Sequence, residues 1–320
     1  IAVEAPVATI RQLVQHPDVH RLALDRPVRA LLDVAAPTVR VPEVWALGNR
    51  GSGITIAVLD TGIYPHPDFM HPRRRLLAFY DAVHGRSLPY DDNGHGTHVA
   101  GVAAGNGMRS DGRFTGIAPE ADLVAVKVLD AQGGGRLSGV IAGLEWVCKH
   151  AARYRIRVLN LSLGAPAETS YRDDLLAQAV GRAWEQGLVV CAAAGNEGPH
   201  PGSISSPGVH PAIITVGACD DRRTSGRDDD VVAPFSSRGP TPDGVLKPDV
   251  VAPGVKIMAA SAPDSPLARQ QRAGSRPYLA LSGTSMATPI VAGIAALLLK
   301  RAPAASPDQI KAWLVATATP

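Results

Sequence analysis

Four side chains of different chemistry stand out along the chain: the carboxylate of Asp60, the imidazole of His95, the amide of Asn196 and the hydroxyl of Ser285. Each sits among small residues, in V-L-D-T-G, H-G-T-H-V-A-G, A-A-G-N-E-G and G-T-S-M-A-T-P. At Ser285 a small polar run meets the apolar run I-V-A-G-I-A-A-L-L-L, with Pro289 in what would be the first turn of a helix starting near Ser285. That helix is too apolar for a surface and is expected to be buried. Its positive end would offer a hydroxyl beside free N–H groups, where a nucleophile and a developing oxyanion are both served. The plain alternative is that Ser282, Thr284 and Ser285 only cap a core helix.

The other three residues have plain alternatives too. His95, between two glycines, has room to swing an imidazole into a cleft, while His98 suits a packed position on the helix that follows. The three-residue spacing of the two histidines, with no glutamate between them, does not match a zinc-binding H-E-x-x-H helix. Asp60 ends an apolar strand, on the rim where ligands of parallel sheets bind, although an aspartate there can simply bond turn amides. A pair of carboxylates sharing one proton would need a second D-T-G or D-S-G, and the chain has none. Asn196 offers a neutral amide that can bond an oxyanion without titrating; the alternative is an asparagine in a left-handed turn.

The elements that must position these groups follow from periodicity. Short apolar runs at 54–59, 123–129, 158–163, 188–193 and 213–218 read as strands covered on both faces. Helical patterns fall at 95–104, 138–154, 173–186, 289–301 and 307–316. Such alternation predicts an α/β fold: a mainly parallel sheet with helices on both faces, with its chemistry at the carboxyl ends of the strands. Residues 10–15 read as a short helix and 19–24 as a strand, too little to close a core alone. Residues 35–42 read as a linker, and 220–230 and 261–276 as solvent loops with no assigned role.

Composition narrows the classes. Hydrophobic residues make up 45% of the 320, enough for a large core, but aromatics only 4%, so small aliphatic residues must pack it. A net charge of +3 gives no reason to expect a nucleic-acid or membrane partner. Three cysteines, Cys148, Cys191 and Cys219, lack C-x-x-C spacing and imply neither a disulfide framework nor a zinc site. No transmembrane run or signal sequence is expected. Gly48, Gly51 and Gly53 precede a strand instead of following one, which excludes a pyrophosphate-binding loop there.

Taken together and in this order, the four motifs resemble those of the subtilisin-like serine proteases over residues 41–316. Y-D-D-N-G-H-G-T-H, F-S-S-R-G-P-T and K-P-D-V-V-A-P-G are similar to the AprX-like branch. The resemblance implies a serine endopeptidase with Ser285 as nucleophile, His95 as base and Asp60 as its orienter. It implies an oxyanion hole from Asn196 and the Ser285 N–H. Substrate would add as a strand between Gly133, Gly134, Gly135 and Ser162, Leu163, Gly164. The specificity pocket would lie between Leu163, Gly164, Ala193, Ala194, Gly195 and the Ser205–Ser206 region, with Glu197 near its mouth and broad preference. Catalysis would need no cofactor. A structural calcium is implied, with Asp68 matching one of its carboxylates and residues 105–115 as the partner loop. Residues 1–32 resemble the end of an inhibitory propeptide, so that 33–320 is the peptidase domain, processed near Leu32. The partners implied are protein and peptide substrates and this segment of the chain itself, acting on a monomer. That branch and the unbridged thiols point to the cytoplasm, with secretion as the alternative.

Overall fold

A computed structural model of the chain describes residues 32–270 and 276–319, together with Thr9 and His16. The helix expected at 10–15, the strand at 19–24 and, apart from Thr9 and His16, the inhibitory segment up to residue 31 lie outside the described residues.

An eight-stranded sheet carries the molecule, in the order β2-β3-β1-β4-β5-β6-β7, with β8 also pairing β6. The strands are β1 (Thr55–Asp60), β2 (Leu76–Asp81), β3 (Asp122–Lys127), β4 (Ile156–Leu161), β5 (Val189–Ala193), β6 (Ile214–Asp220), β7 (Val231–Val232) and β8 (Val250–Pro253). All pair in parallel except β7, which runs antiparallel to β6. Every residue of β1, β3 and β5 is buried, as continuous apolar runs covered on both faces require. A hairpin of β9 (Ile257–Ala260) and β10 (Tyr278–Leu281) leads into the serine-bearing helix.

The helices α1 (Leu32–Thr38), α2 (Val41–Ala46), α3 (Pro67–Met70), α4 (His95–Ala104), α5 (Leu137–Tyr154), α6 (Leu175–Glu185), α7 (Pro266–Gln270), α8 (Thr284–Arg301) and α9 (Pro307–Thr317) complete the described chain. Helix α8 is buried around most of its circumference, so its apolar run is core and not a surface face. It starts at Thr284, one residue before the expected Ser285, so Pro289 falls past the first turn, inside the helix, and removes one internal hydrogen bond.

Two expectations are corrected. The stretch 35–42 is no linker: it folds into α1 and α2, with Ala35, Ala36 and Val41 in the core, because small apolar residues overrode the proline signal. The 220–230 segment is more than a solvent loop. Thr38 Oγ1 donates to the Thr224 carbonyl, and Arg227 donates to the Thr38 carbonyl and to Thr319 Oγ1. The loop thus clasps α1 and the final described turn. Residues 266–270 of the other segment form α7. Cys191 and Cys219 are buried free thiols, and Cys148 is half-buried. No helix among the described residues is long and apolar enough to cross a membrane.

Candidate active site

Strand register brings the site together. Leu59 pairs with Leu161, so Asp60 and Ser162 leave adjacent strands at the same level, while Lys127 pairs with Asp60 on the other side. Neighbouring strands lie about 4.8 Å apart, so three loop origins converge within roughly 10 Å.

Asp60 is fully buried. Its Oδ1 accepts the Thr61 N–H at 2.7 Å and lies 2.7 Å from His95 Nδ1. A carboxylate partner fixes Nδ1 as the protonated nitrogen and leaves Nε2 as the free base. The His95 ring is 22% exposed. Burial works against its charged form, but the charge and hydrogen bond of Asp60, with help from Asp91, outweigh it and hold the imidazole above its ordinary range. Gly96 permits this closeness, since a Cβ there would strike the Gly62 carbonyl and stand 3.1 Å from the Asp60 Cβ. His98, one turn on, takes the opposite course. Buried, beside His95, and with only the Ile257 and Leu279 carbonyls near Nε2, it is pushed down to about 3 and stays neutral.

The serine side is held differently. Thr284 donates its N–H (2.9 Å) and hydroxyl (3.1 Å) to Asn196 Oδ1. With its oxygen occupied, Asn196 must turn its NH2 outward. Gly283, at φ 153° and ψ 162°, adopts a conformation essentially reserved for glycine. A Cβ on it would lie 3.6 Å from both Asn196 Nδ2 and Ser285 N, so the two N–H donors flank one small space. Ser285 Oγ donates to the Ser162 carbonyl at 3.2 Å, and a rotation about its Cα–Cβ bond must carry it to His95.

Gly133, Gly134 and Gly135 are exposed and belong to no strand; Ser162 is buried, Leu163 half-buried and Gly164 exposed at the other edge. The pocket floor differs in detail from expectation. Ala193 is nearly covered, and Ala194 packs with Ala177, Ile204 and Val209, backing the wall instead of lining it. The surface there comes from Gly164 and Gly195, both close to the Ser205 side chain. Glu197 is exposed, its N–H held by Ser237 Oγ at 3.1 Å.

Asp68 does not fit a calcium ligand. Its carboxylate already receives the N–H groups of Gly107 and Arg109 at 3.2 Å, and the Tyr278 hydroxyl lies 2.9 and 3.0 Å from its oxygens. Calcium needs six to eight oxygens, whereas this pocket is lined by donors. Asn106, in the partner loop, has its own oxygen on the Met108 N–H. Among the described residues, no group of three or more histidines, cysteines or carboxylates could hold a metal ion.

Sequence reading overlooked two positioning residues. Buried Asp91 accepts from Thr61 Oγ1 and the N–H groups of Asn93 and Gly94 on one oxygen, and from the N–H and hydroxyl of Thr97 on the other. An anion so placed anchors the positive end of α4 and hence His95. Its place just before the N-G-H turn was the available signal. Lys127, fully buried at the end of β3, donates to the carbonyls of Thr61 (2.7 Å) and Leu129 (2.8 Å) and to Asp92 Oδ1 (2.6 Å). One ammonium therefore ties three loops; a lysine ending an apolar strand was the hint.

This arrangement can take a proton from a hydroxyl, orient the resulting imidazolium and hold an oxyanion with two neutral donors. The chain is similar to known proteins. The profile described as "Subtilase family" matches residues 51–320. Serine protease AprX of Bacillus subtilis (strain 168) is 48% identical over 307 residues, 93% of this chain and 69% of the relative. Subtilisin Savinase of Lederbergia lenta is 40% identical over 281 residues, 88% of this chain and 89% of its own length. A solved cold-adapted subtilisin-like serine proteinase superposes with a TM-score of 0.66 at 32% identity, covering 93% of this chain and 87% of the other. Motifs, fold and these likenesses agree: the chain belongs to the subtilase family, the subtilisin-like serine proteases, and has AprX among its relatives.

Proposed function

We propose that the chain is an endopeptidase that cleaves protein substrates through an acyl-enzyme on Ser285. The observation that carries this reading is the His95–Asp60 pair at 2.7 Å, with Asp60 level with Ser162 on the neighbouring strand end, whose carbonyl receives the Ser285 hydroxyl at 3.2 Å. Ser285 Oγ attacks the scissile carbonyl as His95 Nε2 takes its proton. Asp60 keeps the ring in the reactive tautomer and stabilises the imidazolium. Asn196 Nδ2 and the Ser285 N–H receive the oxyanion, and His95 then returns the proton to the leaving amine. Water repeats the sequence to release the acid. The substrate backbone lies between Gly133, Gly134, Gly135 and Ser162, Leu163, Gly164, and this main-chain recognition with an open floor at Gly164 and Gly195 gives broad side-chain preference. Nothing in the cycle calls on a cofactor.

Residues 1–32 act as an intramolecular inhibitor, and cleavage near Leu32 frees the peptidase domain. Supporting this, α1 is anchored from its own side by Ala35 and Ala36 in the core and by the 220–230 clasp, so it stays in place once severed from what precedes it. The tests are hydrolysis of an unfolded protein substrate by wild type and Ser285→Ala, and N-terminal sequencing of both over time. Cleavage and a new terminus near residue 33 are expected for wild type alone. Equal cleavage by both proteins would overturn the catalytic reading, and identical intact termini the processing step.

A further inference from the structure

Asn160 is a polar side chain where the sheet needs none. It is fully buried in β4, level with Val58 on β1 and Cys191 on β5. Its Nδ2 donates to Ser162 Oγ at 2.9 Å, while its Oδ1 is buried and accepts no hydrogen bond. A half-satisfied amide in a sheet interior costs stability, and a valine would suit the place better.

What the amide holds is the nucleophile's neighbour. Ser162 Oγ has a single proton, and it donates that proton to the Ser285 carbonyl at 2.8 Å. Its lone pair is therefore left for the amide, and the direction of the chain is fixed: Nδ2–H to Oγ–H to O=C. The Ser285 carbonyl is open to this bond because its partner within α8 would be the N–H of residue 289, which is proline. In return, Ser285 Oγ donates to the Ser162 carbonyl. Two serines from different elements thus exchange hydroxyl-to-carbonyl bonds, and Asn160 orients one of them.

We propose that Asn160 is a positioning residue for Ser285, acting through Ser162 on the carbonyl that Pro289 leaves free; this rests on the reading of Ser285 as nucleophile. Pinning that carbonyl fixes the first turn of α8, and with it the direction of the Ser285 N–H and of its Cα–Cβ bond. Small misplacement of a reacting group is paid in kcat. The stable protein would be the one without the amide; the active one keeps it.

Steady-state kinetics and thermal unfolding of Asn160→Val, Ser162→Ala and the double variant test this, with Asn160→Ala as a second replacement. Asn160→Val is expected to unfold no earlier than wild type, yet to lose about tenfold in kcat with KM changed less than about twofold. Because Asn160 works through Ser162, the double variant should be no slower than Ser162→Ala alone. An unchanged kcat in either folded Asn160 variant, or losses that multiply in the double variant, would overturn the relay while leaving wild-type hydrolysis intact. A wild type that cleaves nothing would overturn the function and the relay together.

Discussion

The two halves of the site are held by different forces. Around Asp60 and His95 the fixing groups are charged: Asp91 anchors α4, and the Lys127 ammonium ties Thr61, Leu129 and Asp92. Around Ser285 and Asn196 they are neutral: Thr284 on the Asn196 oxygen, and Ser162 with Asn160 on the serine backbone. The difference follows from the task. A base that must gain and lose a proton works in a field set by permanent charges. An oxyanion hole must attract a transient anion without holding a resident one, which neutral donors do and lysine or arginine would not.

Perturbing the charged half should give the largest effects. Asp60→Asn leaves the shape intact but allows the wrong tautomer, and kcat is expected to fall about 10⁴-fold. Its pH profile should change as well. His95 acts when neutral and is raised above its ordinary value, so wild-type kcat/KM falls as pH drops through that raised value. In Asp60→Asn the acid limb should move to lower pH; a limb that stays put would contradict the assigned cause. On the neutral half, Asn196→Ala should reduce kcat by about 10²–10³ with little change in KM, the signature of a bond made in the transition state. A comparable rise in KM instead would mean the amide binds ground-state substrate.

Lys127→Met asks whether the charged half is positioned from behind. It strands two carbonyls and Asp92, which is 31% exposed and so partly solvated. The expected cost is about 2–3 kcal/mol in unfolding free energy, below that of a fully buried broken pair. Asp92→Asn keeps both carbonyl bonds and should retain most of that stability.

How much of this the sequence disclosed depended on the kind of signal. Continuous apolar runs exposed the inner strands β1, β3, β4, β5 and β6 to within two residues, because strands covered on both faces carry no competing polar pattern. β2, with its half-buried middle, and the short β8, β9 and β10 carry weaker periodicity and were missed. The four chemical residues were legible because each has a glycine within two positions in the sequence, where a strand ends, a helix begins or the chain turns. Lys127 and Asn160 were not, since their roles exist only once strands from distant parts of the chain lie side by side, whereas Asp91, bonded mostly to Asn93, Gly94 and Thr97, carried a local signal before the N-G-H turn that went unread. Asp68 failed for a related reason: its motif was visible, but the Tyr278 hydroxyl that occupies it comes from 210 positions away.

The smallest effects should come away from the rim. With donors already filling Asp68, a chelator should leave the unfolding midpoint unchanged within about 2 °C, whereas Tyr278→Phe should cost about 1–2 kcal/mol. A large chelator effect would place a stabilising ion in the protein after all. His98 adds a pH signature to stability. Its folded value of about 3 lies below the unfolded value near 6.5, so its contribution is present above 6.5 and lost as pH falls toward 3. In His98→Gln that part of the acid slope should be missing.

The central claim is that Ser285 is made nucleophilic by His95. Incubation with an organophosphonyl fluoride, followed by mass spectrometry of the peptides, tests it most directly. One adduct per chain on Ser285 is predicted for wild type, and none in folded His95→Ala on the same time scale. Folded wild type that takes up no label, or label on Ser285 at an equal rate without His95, would contradict the account.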